Sequence, residues 1–409
     1  MRREQGFTLI ELLVAMAMFV FVMASVSTIF TSLLTQFKQQ SRMGETQIEG
    51  VIGLEILRRD IKHAGFGLPW RMNGATYREA EAEAGGTPWV DRVFNDGPPD
   101  NPARGTDVAG ASNAPGAIRS DNLGLYNSDV LVLKAANLAI NGASQRWTRQ
   151  GAGDVKRNGP PDDLYDPLSG DAFVSSDRVI VISPGSSDAT RRGLVLSNDA
   201  DPASWRTTYN ATAAFAPAPL TSPDINIIYG IKQLPVGGGA VSATDPRMPF
   251  NRTEYYIKIP TSPMPNQCAG GTGILYRSEL SHATGTHTGT EDPLLDCVAD
   301  FQVVYTTNIA GVTGVAAEDY TNGLTAAQIR TQIRTVTVYI LAQEGQKDPD
   351  FTFVPPTYTP AAPANSVRVG PLNSTTLGRD FNFATNGITD WQNYRWKVYT
   401  LTVSLENTG

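Results

Sequence analysis

"REQGFTLIELLVAMAMFVFVMA", Arg3 to Ala24, sets a carboxylate inside a strongly apolar run: from Phe7 to Ala24 only Thr8 and Glu11 are polar. A charge at the centre of a bilayer helix costs roughly 2.5–3.5 kcal/mol on insertion scales and marks a functional position by default. Glu11 therefore needs a compensating partner, and every reading of this chain turns on what that partner is.

Three readings compete. A removable secretory signal accounts for the basic start (Arg2, Arg3) and for a small-residue site at Ala15-Met16-Ala17. The apolar run nevertheless continues through Met18 to Ala24, and Glu11 would lie in the signal core without purpose. A plain membrane anchor fits the length, since about 20 apolar residues span a bilayer. Lys38 and Arg42 on one side balance Arg2 and Arg3 on the other, so charge does not orient it, and Glu11 stays unexplained.

The third reading uses every residue. "GFTLIELLVAMAMF" resembles the class III signal of type IV prepilins and type II secretion pseudopilins. The resemblance implies a leader of residues 1–6, cut after Gly6 by a membrane aspartyl peptidase that also methylates the new N-terminal Phe7. Glu11 then becomes the fifth residue of the mature chain, the family's glutamate position. Cleavage creates a cationic amine on Phe7, and a carboxylate one turn along can pair with the amine of a neighbouring subunit. Such pairing offsets the cost of holding either charge in a water-poor place, so Glu11 becomes a device for docking subunits in the membrane.

From Phe7 to Met43 there is no Gly or Pro, so nothing interrupts a helix. Farther on, Ile48, Val51, Ile52, Ile56, Leu57 and Ile61 recur at spacings that suit an amphipathic stripe. Gly44, Gly50 and Gly53 weaken this part, and Gly65, Gly67 and Pro69 end it. The expected helix covers 7–64, with 7–34 in the membrane. "LEILRRDIKHAGFG", Leu54 to Gly67, also looks like the helix end of PilW-type minor pilins.

Residues 65–409 read as a β-rich head outside the membrane. About 70–125, rich in Gly, Pro, Asn and Ala, reads as a long irregular loop. Eight β-branched runs follow: Asp129–Lys134, Arg178–Ile182, Ile225–Ile231, Thr253–Ile259, Gly273–Arg277, Val298–Tyr305, Thr335–Leu341 and Lys397–Leu405. Without intervening helices they imply an antiparallel sheet covered by the N-terminal helix, an α+β pilin-like fold. A short helix over Ala326–Ile333 precedes one strand. Whether the head is one sheet or two packed units stays open. "GILYRSEL", "LLDCVADFQVVY", "IRTVTVYILAQEG" and "YRWKVYTLTVSLENTG" resemble successive PilW-type segments, so the likeness covers 1–67 and about 270–409.

The chain holds two cysteines and three histidines among 409 residues, with a net charge of −7. Cys268 and Cys297 suit one disulfide in an exported domain, which would contribute roughly 3.5 kcal/mol on the chain-entropy estimate; two separate thiols are the alternative. His282 and His287, near Glu291 and Asp292, read as a surface loop rather than a metal site. The acids Asp91, Asp96, Asp100 and Asp107, and Asp162, Asp163, Asp166 and Asp171, lack calcium-loop spacing and read as solvated; calcium is the one cofactor worth a test. Gly237–Gly239 reads as a flexible turn, and no enzyme motif occurs.

The expectation is a non-enzymatic minor pilin that primes assembly and caps the tip. The implied partners are the prepilin peptidase and methyltransferase, other minor pilins and the major pilin, the assembly platform and the inner membrane. The precursor would cross the inner membrane once with its head in the periplasm, then reach the surface of a Gram-negative cell. A J-type pseudopilin of type II secretion is the nearest alternative, and a tip adhesin or DNA-uptake subunit a further one. The acidic balance and the lack of a basic-aromatic stripe argue against nucleic acid.

Overall fold

The computed structural model describes residues 8–80, 92–96, 114–151, 173, 177–183, 192–197, 201, 204–209, 225–232, 246–309, 312–315, 321, 324–357, 363–374 and 376–407. Helix α1 (Leu9–His63) has 55 residues, about 82 Å at 1.5 Å per residue. Thr8 caps its start, and Gly65 and Gly67, both at positive φ, turn the chain away from its end.

The helix continues through Gly44, Gly50 and Gly53, which were expected to weaken it, and packing accounts for the last two. A Cβ on Gly53 would lie 2.1 Å from the Leu294 carbonyl oxygen, so only glycine lets the helix sit this close to the sheet. Gly50 is less demanding, with Leu295 Cδ1 at 3.3 Å from the same kind of Cβ. Leu57, Ile61 and Ala64 on the same side are fully buried.

The main sheet is antiparallel throughout. Its path runs β1 (Ile118–Asp121), β2 (Val130–Ala135), β8 (Asn251–Lys258), β9 (Gly273–Leu280), β10 (His287–Ile309), β12 (Ile333–Glu344) and β15 (Arg395–Ser404), with β11 (Val312–Val315) folded back on β10. A second sheet holds β3 (Trp147–Gly151), β7 (Ile225–Lys232), β4 (Arg178–Ser183) and β5 (Gly193–Leu194), with β6 (Thr207–Thr208) beside β4. A hairpin, β13 (Ser366–Val369) with β14 (Arg379–Asn382), forms a two-stranded sheet of its own that packs on the main one. The α+β architecture is therefore as expected, but six of the eight expected strands form the main sheet, while Arg178–Ile182 and Ile225–Ile231 build the second. The short helix α2 (Ala326–Gln332) precedes β12 as expected, and the region expected to be loop contains β1.

Alternation along the strands sorts side chains between two faces. Leu131, Leu133, Tyr255, Ile257, Leu275, Phe301, Val303, Val338 and Ile340 join Leu57 and Ile61 of α1 in the main core. In the second sheet, Ile180 and Ile182 reach the same core, while Val179 and Val181 pack with Tyr209 and Ile228. The reverse face of the main sheet is also covered. Phe94 caps Val130, Val132 and Tyr256 at one end. At the other end, Phe381, Phe383 and Trp391 cover Leu341 and Trp396. Strands buried on both faces explain why β2 lacks any exposed residue.

Candidate functional site

The first candidate is the start of α1. Thr8 and Glu11 form a reciprocal capping box. The Thr8 backbone N–H and hydroxyl both donate to Glu11 Oε2 at 3.0 Å, and Glu11 N donates to Thr8 Oγ1. Glu11 is thus compensated within its own first turn, by a neighbour the sequence reading passed over as merely polar. Among the described residues Oε1 takes no hydrogen bond, which leaves half of the carboxylate for a further donor. Gly6 and Phe7 lie outside the described residues.

The 26 residues Leu9–Leu34, Glu11 among them, are apolar enough to cross a bilayer and none is buried against the head. Leu9, Ile10, Phe19 and Phe21 are all exposed. The hydroxyls of Ser25, Thr28 and Thr31 donate to carbonyls three or four residues back, so they ask nothing of the surroundings. A largely apolar cylinder of this kind is suited to lipid or to another apolar helix.

The second candidate is the junction that ties this cylinder to the head. Asp60 is buried in the last turns of α1. Arg277 Nε on β9 donates to its Oδ2 at 2.8 Å, and the Tyr255 hydroxyl on β8 donates to the same oxygen at 2.6 Å. Burial and the nearby Asp60 charge together push the Tyr255 phenol far up, so it remains a donor. The sequence signal was present, since Asp60 breaks the apolar stripe and Arg277 stands inside "GILYRSEL", but nothing local pairs them.

A third group is an ion network on the reverse face. Lys134 Nζ lies 2.6 Å from both Glu79 and Asp96 carboxylates, and Arg119 lies 2.6 Å from Asp96. Arg252 reaches Glu79 at 3.2 Å and Glu254 at 2.8 Å. Burial raises Asp96 and Glu254, but the adjoining cations outweigh it and hold both below their usual values. Interleaved charges of both signs are what make such burial tolerable. The network pins residues 77–80 and 92–96 to β1, β2 and β8. Asp96 is accordingly not a solvated loop acid, contrary to expectation. Asp91, Asp100, Asp107, Asp162, Asp163, Asp166 and Asp171, and Gly237–Gly239, lie outside the described residues.

The histidines also differ from expectation. His282 is buried, with Nε2 at 3.0 Å from Asn251 Oδ1. Asn251 Nδ2 donates to the Ala136 carbonyl at 2.6 Å, so Oδ1 is the acceptor and His282 Nε2 carries the proton. Nδ1 is enclosed without a partner, and burial pulls the imidazole down to about 3. His287 lies in β10, stacked on Tyr256, with Nε2 at 3.0 Å from Glu254. Both are packing residues rather than members of an open loop. Among the described residues, no three His, Cys, Asp or Glu side chains converge as a metal site would need.

Cys268 and Cys297 form a disulfide, with Cα atoms 5.0 Å apart. It ties the loop before β9 to a point within β10, where Cys297 adopts φ 56° at an irregular stretch of the ladder.

Comparison with known proteins agrees with this division of the chain. Residues 1–27 match the prokaryotic N-terminal methylation motif. Residues 255–407 match the family of type IV pilus-assembly protein W, spanning β8 to the end of β15. No curated protein matches the chain. Among solved structures, a type IV-like pilin from Thermus thermophilus is similar, at 13% identity over 43% of this chain and 76% of that one, with a TM-score of 0.19.

Proposed function

We propose that this chain, a pilin-like protein with an N-terminal methylation motif and a PilW-type segment, is a minor pilin that primes assembly of a type IV pilus and caps its tip. It enters the inner membrane as a precursor with its head in the periplasm, in a Gram-negative cell. The prepilin peptidase cuts after Gly6 and methylates Phe7. Glu11 then accepts the Phe7 amine of a neighbouring subunit, either another minor pilin or the major pilin, on the assembly platform. The part is structural: the chain carries no catalytic residues, needs no cofactor and takes no nucleic acid.

The observation that carries this reading is the pairing of the methylation motif with Leu9–Leu34, an apolar helix with no face turned to its own head. A soluble protein would bury that surface, and a simple anchor would use Glu11 only to cap the helix start through Oε2, with no call on Oε1.

The test is the N-terminal residue and its mass on protein extracted from membranes. N-methyl-phenylalanine at position 7 is the expected result. An N-terminus at Met1 or at Met18 would end the proposal. Deleting the gene then separates the two filament systems: loss of pili is expected, whereas loss of exoprotein secretion with normal pili would assign the chain to type II secretion.

A further inference from the structure

Buried cations in this head meet carboxylates. Arg119 has Asp96, Arg252 has Glu254 and Arg277 has Asp60. Arg330, half-buried on α2, is an exception. Its Nη1 is enclosed without an acceptor, and no carboxylate among the described residues pairs with it.

What Arg330 touches is Trp70. Its guanidinium carbon lies 5.0 Å from the centre of the Trp70 ring, and that of Arg192 lies 4.7 Å from the same ring. The Trp70 indole N–H is enclosed and also lacks an acceptor. Three distant segments deliver these groups: the turn after α1, the entry to β5, and α2. Their backbone is fixed, with Trp70 N donating to the Arg192 carbonyl at 2.9 Å and Leu194 N donating to the Arg71 carbonyl at 2.8 Å.

Two cations on one indole repel each other, and a cation–π contact returns about 0.5–2 kcal/mol. Burial, with Arg192 adding to it, pulls Arg330 down to about 10. The fold therefore holds positive charge where charge is disfavoured, beside an N–H donor with nothing to donate to. An anion would resolve both.

We propose that the Trp70–Arg330 corner, with Arg192 beside it, binds a small oxyanion, the carboxylate or phosphate group of a free solute. The planar guanidinium fork suits either group, and the half-buried corner favours a small ion over a flat protein face. Lipid headgroups are remote, because the helix from Leu34 to His63 spans about 43 Å between the bilayer stretch and this corner. The site stands independently of the role given to Glu11.

The experiment uses the full chain in detergent micelles. Tryptophan emission is followed during titration with sodium phosphate, sodium succinate or sodium chloride at matched ionic strength. A saturable change with phosphate or succinate, absent in Trp70→Phe, is expected. Arg330→Gln should weaken the midpoint at least about tenfold, and Arg330→Lys, which keeps charge but loses the fork, should fall between. Thermal melting gives the second readout: the binding anion should raise the Tm of the wild type and not that of Arg330→Gln. Equal response to chloride, an unchanged midpoint in Arg330→Gln, or no saturable change would overturn the site. If Arg330→Gln fails to fold, Arg330→Lys decides, and an unchanged midpoint there has the same meaning.

Discussion

Asp60 on the helix and Arg277 on β9 meet at 2.8 Å with each side chain only 2% exposed, although 217 positions separate them. This pair, with Tyr255, welds the apolar helix to the head at one buried point. The close approach at Gly53 and the buried Leu57 and Ile61 hold the helix to the sheet beside it.

Removing one partner should leave a buried charge uncompensated, which costs about 3–5 kcal/mol. Arg277→Met is expected to lower the stability of the head by that amount in chemical denaturation. Asp60→Leu combined with Arg277→Met should recover much of the loss, since both charges then go together. A double variant as unstable as the sum of the singles would show that the pair is not coupled.

Gly53→Ala separates helix propensity from packing. Propensity alone favours Ala by about 1 kcal/mol, but the new methyl would lie 2.1 Å from the Leu294 carbonyl oxygen. Net destabilisation is expected. Gly50→Ala, whose new methyl would meet only the Leu295 Cδ1 at 3.3 Å, should be nearly neutral. Equal melting temperatures for the two variants would contradict the close approach at Gly53.

His282 predicts a pH dependence. Its folded value of about 3 lies below the ordinary imidazole value of 6.5. Above pH 6.5 both folded and unfolded states are neutral and His282 adds no slope. Between pH 6.5 and about 3 the unfolded imidazole takes a proton that the folded one refuses, so stability falls as pH drops, by up to about 1.4 kcal/mol per unit. Below about 3 the contribution is fully lost. His282→Gln should flatten the difference curve across this window when unfolding is measured from pH 7 to 4. A parallel curve would refute the assignment.

Replacing Cys268 and Cys297 together by Ala removes a cross-link across 29 positions. The loss expected is roughly 3.5 kcal/mol, read as a lower Tm that reductant no longer changes. A variant with wild-type Tm would mean that the loop is held by other contacts.

Glu11→Ala should leave cleavage after Gly6 intact, because the cut precedes docking, while piliation falls steeply. Immunoblots of precursor and mature forms, with electron microscopy of pili, read the two steps separately. Normal piliation would remove Glu11 from assembly.

Much of the fold was readable from local pattern. The uninterrupted run from Phe7, the turn at Gly65 and Gly67, the short helix before β12 and eight β-branched runs are each a matter of neighbouring residues, and each element is present. What local pattern did not decide was partnership. Arg178–Ile182 and Ile225–Ile231 look like the other strands yet build a second sheet, because pairing depends on loop closure and shared core, not on composition. β1 was hidden in a loop-like stretch because its four residues, Ile118–Asp121, owe their strand to β2.

The site divides in the same way. Glu11 and its apolar setting were determined by sequence alone, since a helix start, a capping residue and a bilayer-length run all lie within one continuous segment. The burial of Asp96, His282 and Lys134 was decided only in three dimensions. A polar side chain is driven to the surface unless the fold supplies a partner, and their partners stand 23 to 55 positions away: Arg119 for Asp96, Asn251 for His282, and both Phe94 and Glu79 for Lys134. The same holds for Trp70 and Arg330, which no spacing connects and which only the packing of α2 against the turn after α1 brings together.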